Sequence, residues 1–401
     1  VDVFVARQPA DDESAAAPFR EFVVKVHGGC QLACDYCFMY QSVDAWSARS
    51  RPMPMPVLKQ TARRIAEHAH RHAVTRPRVV FHGGEPLLFG PARLAGAAEL
   101  IRRELGPGMD PEFTVQSNGL ALDDRALTHL AGAGIRVGVS LDGGAEQNDR
   151  HRRFRSGRGS HDLVARGLAL LREKPEMYAG LLAVVDLAND PVETYESLIA
   201  FAPPHLDLLL PHGNWAAPPP GRPNDDSTPY ADWLIAVFER WYSAPRAETT
   251  IRLFQEIILG LFGRDSRSES IGLSPVGVIV VDVSGAIEQV DALRTTYAGA
   301  VDTALNVFDN SFDDALRHAE VRARQGGLKN LSATCRKCPL VAVCGAGYYP
   351  HRYTGRDFDA PSVYCRDLFK LIAHIRARVS ADVARIAKTR TGRPSPGGPF
   401  D

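Results

Sequence analysis

Three cysteines in eight residues, Cys30, Cys34 and Cys37, carry the spacing C-x3-C-x2-C, and four more, Cys335, Cys338, Cys344 and Cys365, gather far down the chain. Thiolates in such groups hold iron–sulfur clusters or structural zinc, and both usually take four ligands. The second group supplies a complete set for one cluster; zinc is the alternative, since C-x2-C pairs are common zinc donors. The first group supplies three, and with seven cysteines in all the chain has no eighth to complete it. Either His27 joins the triad in a zinc site, or the triad holds a cubane cluster with one iron open to a substrate or cofactor.

The triad follows Phe22-Val23-Val24-Lys25-Val26-His27, an apolar run that reads as a buried strand, and Gly28-Gly29 loosens the chain where it leaves that strand. A strand–helix rhythm then begins. The pattern predicts strands at Arg78-Val79-Val80-Phe81, Glu112–Gln116, Ile135–Leu141, Ala179–Val185 and Leu206–Leu210. Between them it predicts helices over Val57–Ala73, Ala92–Leu105, Asp123–Ala131, His161–Arg172 (after a polar loop) and Val192–Phe201. Six strands, each followed by a crossover, imply a parallel sheet with helices outside. A doubly wound open sheet and a partial barrel both fit, and in either the chemistry sits at the C-terminal strand ends. There stand His82-Gly83-Gly84-Glu85-Pro86-Leu87, Gln116-Ser117-Asn118-Gly119, Ser140-Leu141-Asp142-Gly143 and Pro211-His212-Gly213-Asn214-Trp215. One such turn alone means little; together with the triad they put ligand-binding chemistry on one rim.

Lys plus Arg and Asp plus Glu balance at 47 each, so no global charge argues for a nucleic-acid or membrane-surface partner. Asp11, Asp12 and Glu13 do not read as a signal peptide, and no run of about 18 apolar residues suggests a span. The chain therefore reads as cytoplasmic, where clustered cysteines favour metal over disulfides. Residues 1–20 read as a flexible N-terminal segment, 21–228 as the strand–helix unit and 229–270 as a helical connection. Residues 271–388 read as the unit of the second cysteine group, with a hairpin (Pro275–Val283, Ala286–Val290) and a closing helix from Leu368 to about Ile386, opened by Cys365. Pro218–Pro229 reads as a linker and 389–401 as a disordered tail.

Together these residues resemble the radical S-adenosylmethionine (SAM) enzymes. Cys30-x3-Cys34-x-Tyr36-Cys37 is similar to their signature, Gly83-Gly84-Glu85-Pro86 to their segment for the methionine amino group, and Ser117-Asn118-Gly119 and Ser140-Leu141-Asp142-Gly143 to their later strand ends. Asn148-Asp149-Arg150-His151-Arg152 resembles the loop whose arginine lies near SAM. The resemblance covers most of the chain and implies an α/β fold: a partial (β/α)6 TIM-like barrel with a C-terminal SPASM/twitch-like auxiliary iron–sulfur domain. It implies that the open iron chelates SAM, that Tyr36 and strand-end backbone hold the adenine, and that Glu85, acceptor-only when ionised, takes the methionine ammonium. Gly83, Gly84, Ser117, Asn118, Ser140 and Arg152 would complete the SAM contacts.

The C-terminal part resembles the SPASM extension of peptide-modifying members, whose pattern C-x2-C-x5-C-x3-C plus a further cysteine serves two auxiliary clusters. This chain departs from it: Tyr348 stands four residues after Cys344, and Val290-Asp291 stands where relatives carry Cys-Asp. One auxiliary ligand set is therefore missing and the other intact, which implies two [4Fe–4S] clusters in total. More narrowly, Glu288-Gln289-Val290-Asp291, Leu331-Ser332-Ala333-Thr334-Cys335 and Tyr349-Pro350-His351-Arg352-Tyr353 resemble FxsB-type peptide maturases, which are similar to enzymes that form three-residue cyclophanes.

The implied activity is that of a radical SAM oxidoreductase and peptide cyclase acting on a ribosomally made precursor peptide. A 5′-deoxyadenosyl radical would remove a β-hydrogen, and the β-carbon would join an aromatic ring carbon. Asp291 matches the family's catalytic carboxylate and is the candidate general base, a solvated turn carboxylate being the other reading. The auxiliary cluster would accept the leaving electron, and a flavodoxin or ferredoxin would supply the initiating one. His212, Asn214 and Trp215 either line the peptide channel or form an ordinary rim turn, and Tyr348, Tyr349, His351 and Tyr353 either pack the auxiliary cluster or touch substrate. Formylglycine-type sulfatase maturation or an ether or thioether linkage are alternatives within radical chemistry; an iron–sulfur electron carrier or a zinc scaffold are the non-enzymatic ones.

Overall fold

The structure, a computed structural model, describes residues 16–46 and 51–391. Expectations for residues 1–15 and 392–401 lie outside these. Strands β1 (Glu21–His27), β2 (Arg78–Gly83), β3 (Glu112–Ser117), β4 (Ile135–Ser140), β5 (Tyr178–Val184) and β6 (His205–Leu209) pair side by side in chain order, all parallel. A doubly wound sheet reverses direction at a switch point. Here every step goes the same way, and right-handed crossovers then put the helices on one face while the sheet curls about the other. The crossover helices are α1 (Met55–Arg71), α2 (Pro91–Leu105), α3 (Asp124–Gly132), α4 (Ala145–His151), α5 (His161–Arg172) and α6 (Pro191–Ile199). The topology resolves the ambiguity in favour of the partial barrel.

Strand alternation sorts the side chains. On β1, Phe22, Val24 and Val26 are fully buried, and Phe22 packs its ring 5.9 Å from His68 of α1. Lys25 lies between them in sequence and on the inner face, inside the curl. On β2, Val79 and Phe81 are buried on the helix side while His82 is half-buried on the inner face.

The C-terminal part continues the same sheet. After α7 (Pro229–Tyr242), β7 (Thr250–Ile251) pairs parallel with β6, and α8 (Arg252–Leu261) follows. On the opposite edge β8 (Val278–Val281) pairs parallel with β1, then antiparallel with β9 (Ala286–Glu288), which meets β10 (Asp302–Asn306). The expected hairpin is thus present, shortened to its ladder, and welded to the first strand. Helices α9 (Phe312–Arg317), α10 (Ala319–Gln325), α11 (Ala333–Arg336), α12 (Val341–Cys344) and α13 (Cys365–Thr391) complete the chain.

Three expectations need correction. The polar loop after β4 contains α4, whose C-cap is Arg152. Pro218–Pro229 is not a free linker: Pro219 is buried, Tyr230 donates its hydroxyl to the Pro220 carbonyl, and just before it Trp215 N–H donates to Tyr353 O at 2.9 Å. The last helix runs to Thr391, past the expected start of the tail at 389.

Candidate active site

Cys30, Cys34 and Cys37 lie on the loop that leaves β1, around a cavity of about 310 Å³ lined also by Gly28, Gly29 and Tyr40. The glycines keep the wall thin. Gly84 N–H donates to His27 O at 2.8 Å and Glu85 N–H to Gly29 O at 2.7 Å, so the β2 end is pressed onto the β1 end. A Cβ on Gly84 would fall 2.2 Å from the Tyr40 hydroxyl and 2.5 Å from Gly29 O. Gly83 holds φ +136°, open to glycine alone.

Burial pushes the Cys30 and Cys34 thiols up to about 11. A thiolate there needs a bound cation, as a metal ligand has. Four sulfurs around one zinc lie about 3.8 Å apart, from a Zn–S bond of about 2.3 Å. Among the described residues the one trio of Cys, His, Asp or Glu ligand atoms within 4.8 Å of one another is His68, His72 and Asp313. Neither cysteine set brings three sulfurs that close together, a spacing with room for a multi-iron cluster. The His68 trio is already satisfied: Phe19 N–H donates to His68 Nε2, and Arg71 donates to Asp313 at 2.6 Å.

Tyr36 and Arg152 meet behind the triad. Arg152 Nη1 donates to the Tyr36 hydroxyl at 3.0 Å, and that hydroxyl donates to Asp142 Oδ2. Asp142 Oδ1 accepts from Val184 N–H at 3.0 Å, tying the ends of β4 and β5 together. Arg152 is 8% exposed and its Nε is enclosed without a partner, an orphaned donor beside Cys34 that suits a bound carboxylate. Despite burial its guanidinium is held charged by Tyr36, Cys34 and Asp142. Asn118 Nδ2 reaches Cys30 Sγ at 3.6 Å and Gln31 Oε1 at 3.1 Å, so the β3 end braces the triad. Ser140 Oγ accepts from Gln116 Nε2 at 3.1 Å on the inner face.

Glu85 departs from its expected role. It is fully buried, and its carboxylate accepts from Leu87 N–H at 2.9 Å, Ser117 Oγ at 2.8 Å and Asn118 N–H at 2.7 Å. The side chain turns into the protein and clamps the β2 end to the β3 end; Ser117 is consumed in the same clamp. Burial raises the Glu85 carboxyl despite these bonds. Glu85 and Ser117 therefore shape the pocket wall instead of facing a ligand.

Asp291 is not a solvated turn carboxylate. It opens the turn after β9 at 7% exposure, and its Oδ1 accepts from Lys25 Nζ at 2.9 Å and Arg294 Nε at 3.0 Å. Lys25 is fully buried and also meets Glu288 at 2.5 Å and Asp282 at 3.6 Å. The two cations hold the Asp291 carboxyl below the usual carboxylate range against the opposing pull of burial. The segment after the triad closes over this network: Trp46 Nε1 donates to Asp282 at 2.7 Å, Lys25 Nζ lies 4.7 Å from the Trp46 ring, and Arg294 bonds Asp44 at 3.2 Å. Tyr40 stacks on Trp46 at 6.2 Å and donates to Gly28 O at 2.9 Å, so a run of side-chain contacts joins the loop of the triad to this network. In the sequence Lys25 was only a charge inside an apolar strand, Glu288 only a member of the Glu288–Asp291 motif, and Arg294 carried no signal.

The second cysteine set also gathers. Cys335 sits on α11, capped by Ser332, Cys344 ends α12, and Cys365 opens α13. Burial, then the neighbouring Cys365, Cys335 and Cys338, push the Cys344 thiol up to about 12. Gly345, Ala346 and Gly347 follow in left-handed conformation (φ +59°, +64° and +66°), and Arg352 donates to the carbonyls of Gly345 at 2.6 Å and Gly347 at 2.9 Å. A Cβ on Gly345 would lie 1.6 Å from Gly272 O. Tyr348 follows this turn among aromatic rings, 5.4 Å from His351 and 6.2 Å from His212, and His212 packs 4.9 Å from Phe38 beside the triad. Asn214 is buried and bonds Thr295 O at 3.0 Å, while Trp215 bonds Pro361 O at 2.7 Å, so both stitch barrel to C-terminal part.

Residues 24–190 match the Radical SAM superfamily. Over 376 residues the chain is 23% identical to the serine-type anaerobic sulfatase-maturating enzyme of Klebsiella aerogenes, covering 92% of this chain and 88% of that protein. It is 27% identical over 169 residues to the cysteine-type enzyme of Clostridium perfringens, 42% of this chain and 44% of that one. Its fold superposes on native anSMEcpe with bound AdoMet and Cp18Cys peptide at TM-score 0.76, with 21% identity over 91% of this chain and 99% of that one. It superposes on Streptococcus suis SuiB bound to precursor peptide SuiA at TM-score 0.59, with 15% identity over 87% and 76% of the two chains. Residues 24–190 thus form a radical SAM domain, the catalytic domain of enzymes that use SAM and a [4Fe–4S] cluster, and a cysteine-bearing C-terminal extension follows it.

Proposed function

We propose that this enzyme is a cytoplasmic peptide maturase that oxidises a ribosomally made precursor, most specifically by joining an aromatic ring carbon to the β-carbon of a residue two positions away. The observation that carries this reading is the buried, anionic Asp291, joined to the loop of the triad by a run of contacts: Lys25 bonds Asp291 and lies over the Trp46 ring, Trp46 stacks on Tyr40, and Tyr40 bonds Gly28 O. When bound, SAM and the triad's cluster supply a carbon radical able to take hydrogen from a C–H bond. Cys30, Cys34 and Cys37 would hold that cluster, and Arg152, with its orphaned Nε, would orient the SAM carboxylate. Tyr36, fixed by Arg152 and Asp142, walls the adenine side. The carboxylate of Asp291 supplies the negative charge that a departing proton requires. Cys335, Cys338, Cys344 and Cys365 would hold a second [4Fe–4S] cluster, and a flavodoxin or ferredoxin would deliver the initiating electron.

The crosslinking reading draws on Glu288-Gln289-Val290-Asp291 and on Tyr348, which leave one auxiliary ligand set where SPASM relatives carry two. A second reading, oxidation of a serine or cysteine to formylglycine, draws on the likeness to sulfatase-maturating enzymes along most of the chain. Ring closure and serine oxidation each remove two hydrogens; a cysteine loses two hydrogens and then exchanges its sulfur for oxygen from water. Co-expression with a candidate precursor peptide and tandem mass spectrometry separates them: a ring suppresses backbone cleavage inside the modified triplet, whereas an aldehyde leaves it intact and reacts with hydrazine. An unmodified peptide mass overturns both.

A further inference from the structure

Asp291 keeps its charge but takes protons poorly, because Lys25 and Arg294 both bond its Oδ1. A second candidate acceptor rises beside its partner Lys25. In the β1–β2 ladder His82 is the register partner of Lys25, so both side chains rise from one level of the sheet. The alternation of β2 puts the His82 ring on the inner face of the curl, half-buried, immediately before Gly83-Gly84. Its Nδ1 is enclosed and makes no hydrogen bond, a costly state for a buried polar atom. Two charged groups act on the ring: Asp291, from the turn after β9, favours the imidazolium, and Lys25, from β1, opposes it. Burial outweighs Asp291, so the resting ring is held neutral and its lone pair is available.

We propose that His82 is the proton acceptor of the reaction site and that Asp291, bonded by Lys25 and Arg294, is the fixed charge that stabilises the imidazolium once formed. The source of the proton rests on the peptide-maturase reading; the pairing does not. Only a proton moves in this step. Its bond to the substrate breaks, the electron pair stays on the substrate, and an N–H forms on the imidazole, which later returns the proton to solvent.

The test uses the reconstituted holoenzyme without oxygen. Carbethoxylation of His82, followed by peptide mass spectrometry between about pH 5 and pH 8, reads its proton affinity, because only neutral imidazole reacts. In Asp291→Asn the midpoint moves to lower pH; an unchanged midpoint overturns the pairing whatever the substrate is. In His82→Gln the ratio of modified peptide to SAM cleaved falls about 100-fold, the usual scale of general acid–base catalysis, and the acidic limb of its pH profile flattens. A ratio within about twofold of wild type, with the same profile, overturns the proton-acceptor role. A shifted midpoint with no peptide turned over by the wild type supports the pair and overturns the peptide reading.

Discussion

The two cysteine sites are built to opposite ends. The triad at the barrel mouth has three ligands, a cavity of about 310 Å³, and walls of glycine backbone (Gly28, Gly29). The C-terminal set has four ligands, and after Cys344 come three left-handed residues held by Arg352, whose guanidinium is spent on backbone carbonyls. A metal centre that does chemistry on a ligand keeps a coordination position free, and one that does not is closed by protein. On the function proposed above, SAM cleavage belongs to the first site, and holding the fold and passing electrons to the second.

The sharpest way to break this comparison is at the triad. Cys34→Ala should abolish reductive SAM cleavage and halve the iron from about eight atoms to about four. Residual cleavage above about a thousandth of wild type would contradict the assignment. Cys344→Ala should halve the iron equally, yet its loss should appear in the yield of modified peptide per SAM cleaved, measured by chromatography of 5′-deoxyadenosine beside the peptide.

Lys25→Met probes the charge network that distinguishes the mouth. Removing the cation leaves Asp282, Glu288 and Asp291 facing one another, and breaking a buried pair costs about 3–5 kcal/mol. Chemical denaturation reads it. The pH dependence has two ends. Asp291's carboxyl is held below its ordinary value, so its contribution is complete above the ordinary carboxylate pKa and is lost as pH falls through the lower folded one. Lys25 is held above its ordinary value, so its contribution is complete below the ordinary lysine pKa and is lost as pH rises through the raised one. Without Lys25 the Asp291 carboxyl is depressed less, so Lys25→Met should start from a lower stability at neutral pH and lose less of it as the pH falls. A smaller effect follows from Gly84→Ala, whose Cβ needs Tyr40 or Gly29 to move. It should cost about 1–3 kcal/mol and weaken SAM binding measured by calorimetry, with the iron content kept.

The sequence made the six parallel strands legible because β-branched runs and Gly-rich ends recur at regular spacing, and it made both cysteine sets legible because their ligands are close in the chain. It left the sheet's curl open, since periodicity carries no strand order. β7 has two residues and α4 two turns, too short for a periodic signal. The network around Asp291 was illegible for another reason: Lys25 and Asp291 are 266 positions apart, and only the β1–β8 pairing brings them together. Glu85 was misread because a carboxylate at a strand end suits a ligand as well as it suits the Ser117 and Asn118 clamp that burial imposes.

The central claim is that the open triad initiates the chemistry and the closed set completes it. One measurement addresses it most directly: reductive SAM cleavage and peptide mass, followed together for wild type and Cys344→Ala on the same precursor. The account predicts 5′-deoxyadenosine from both proteins but the two-hydrogen mass loss from wild type alone. Equal modified peptide per SAM cleaved in the two proteins would contradict it.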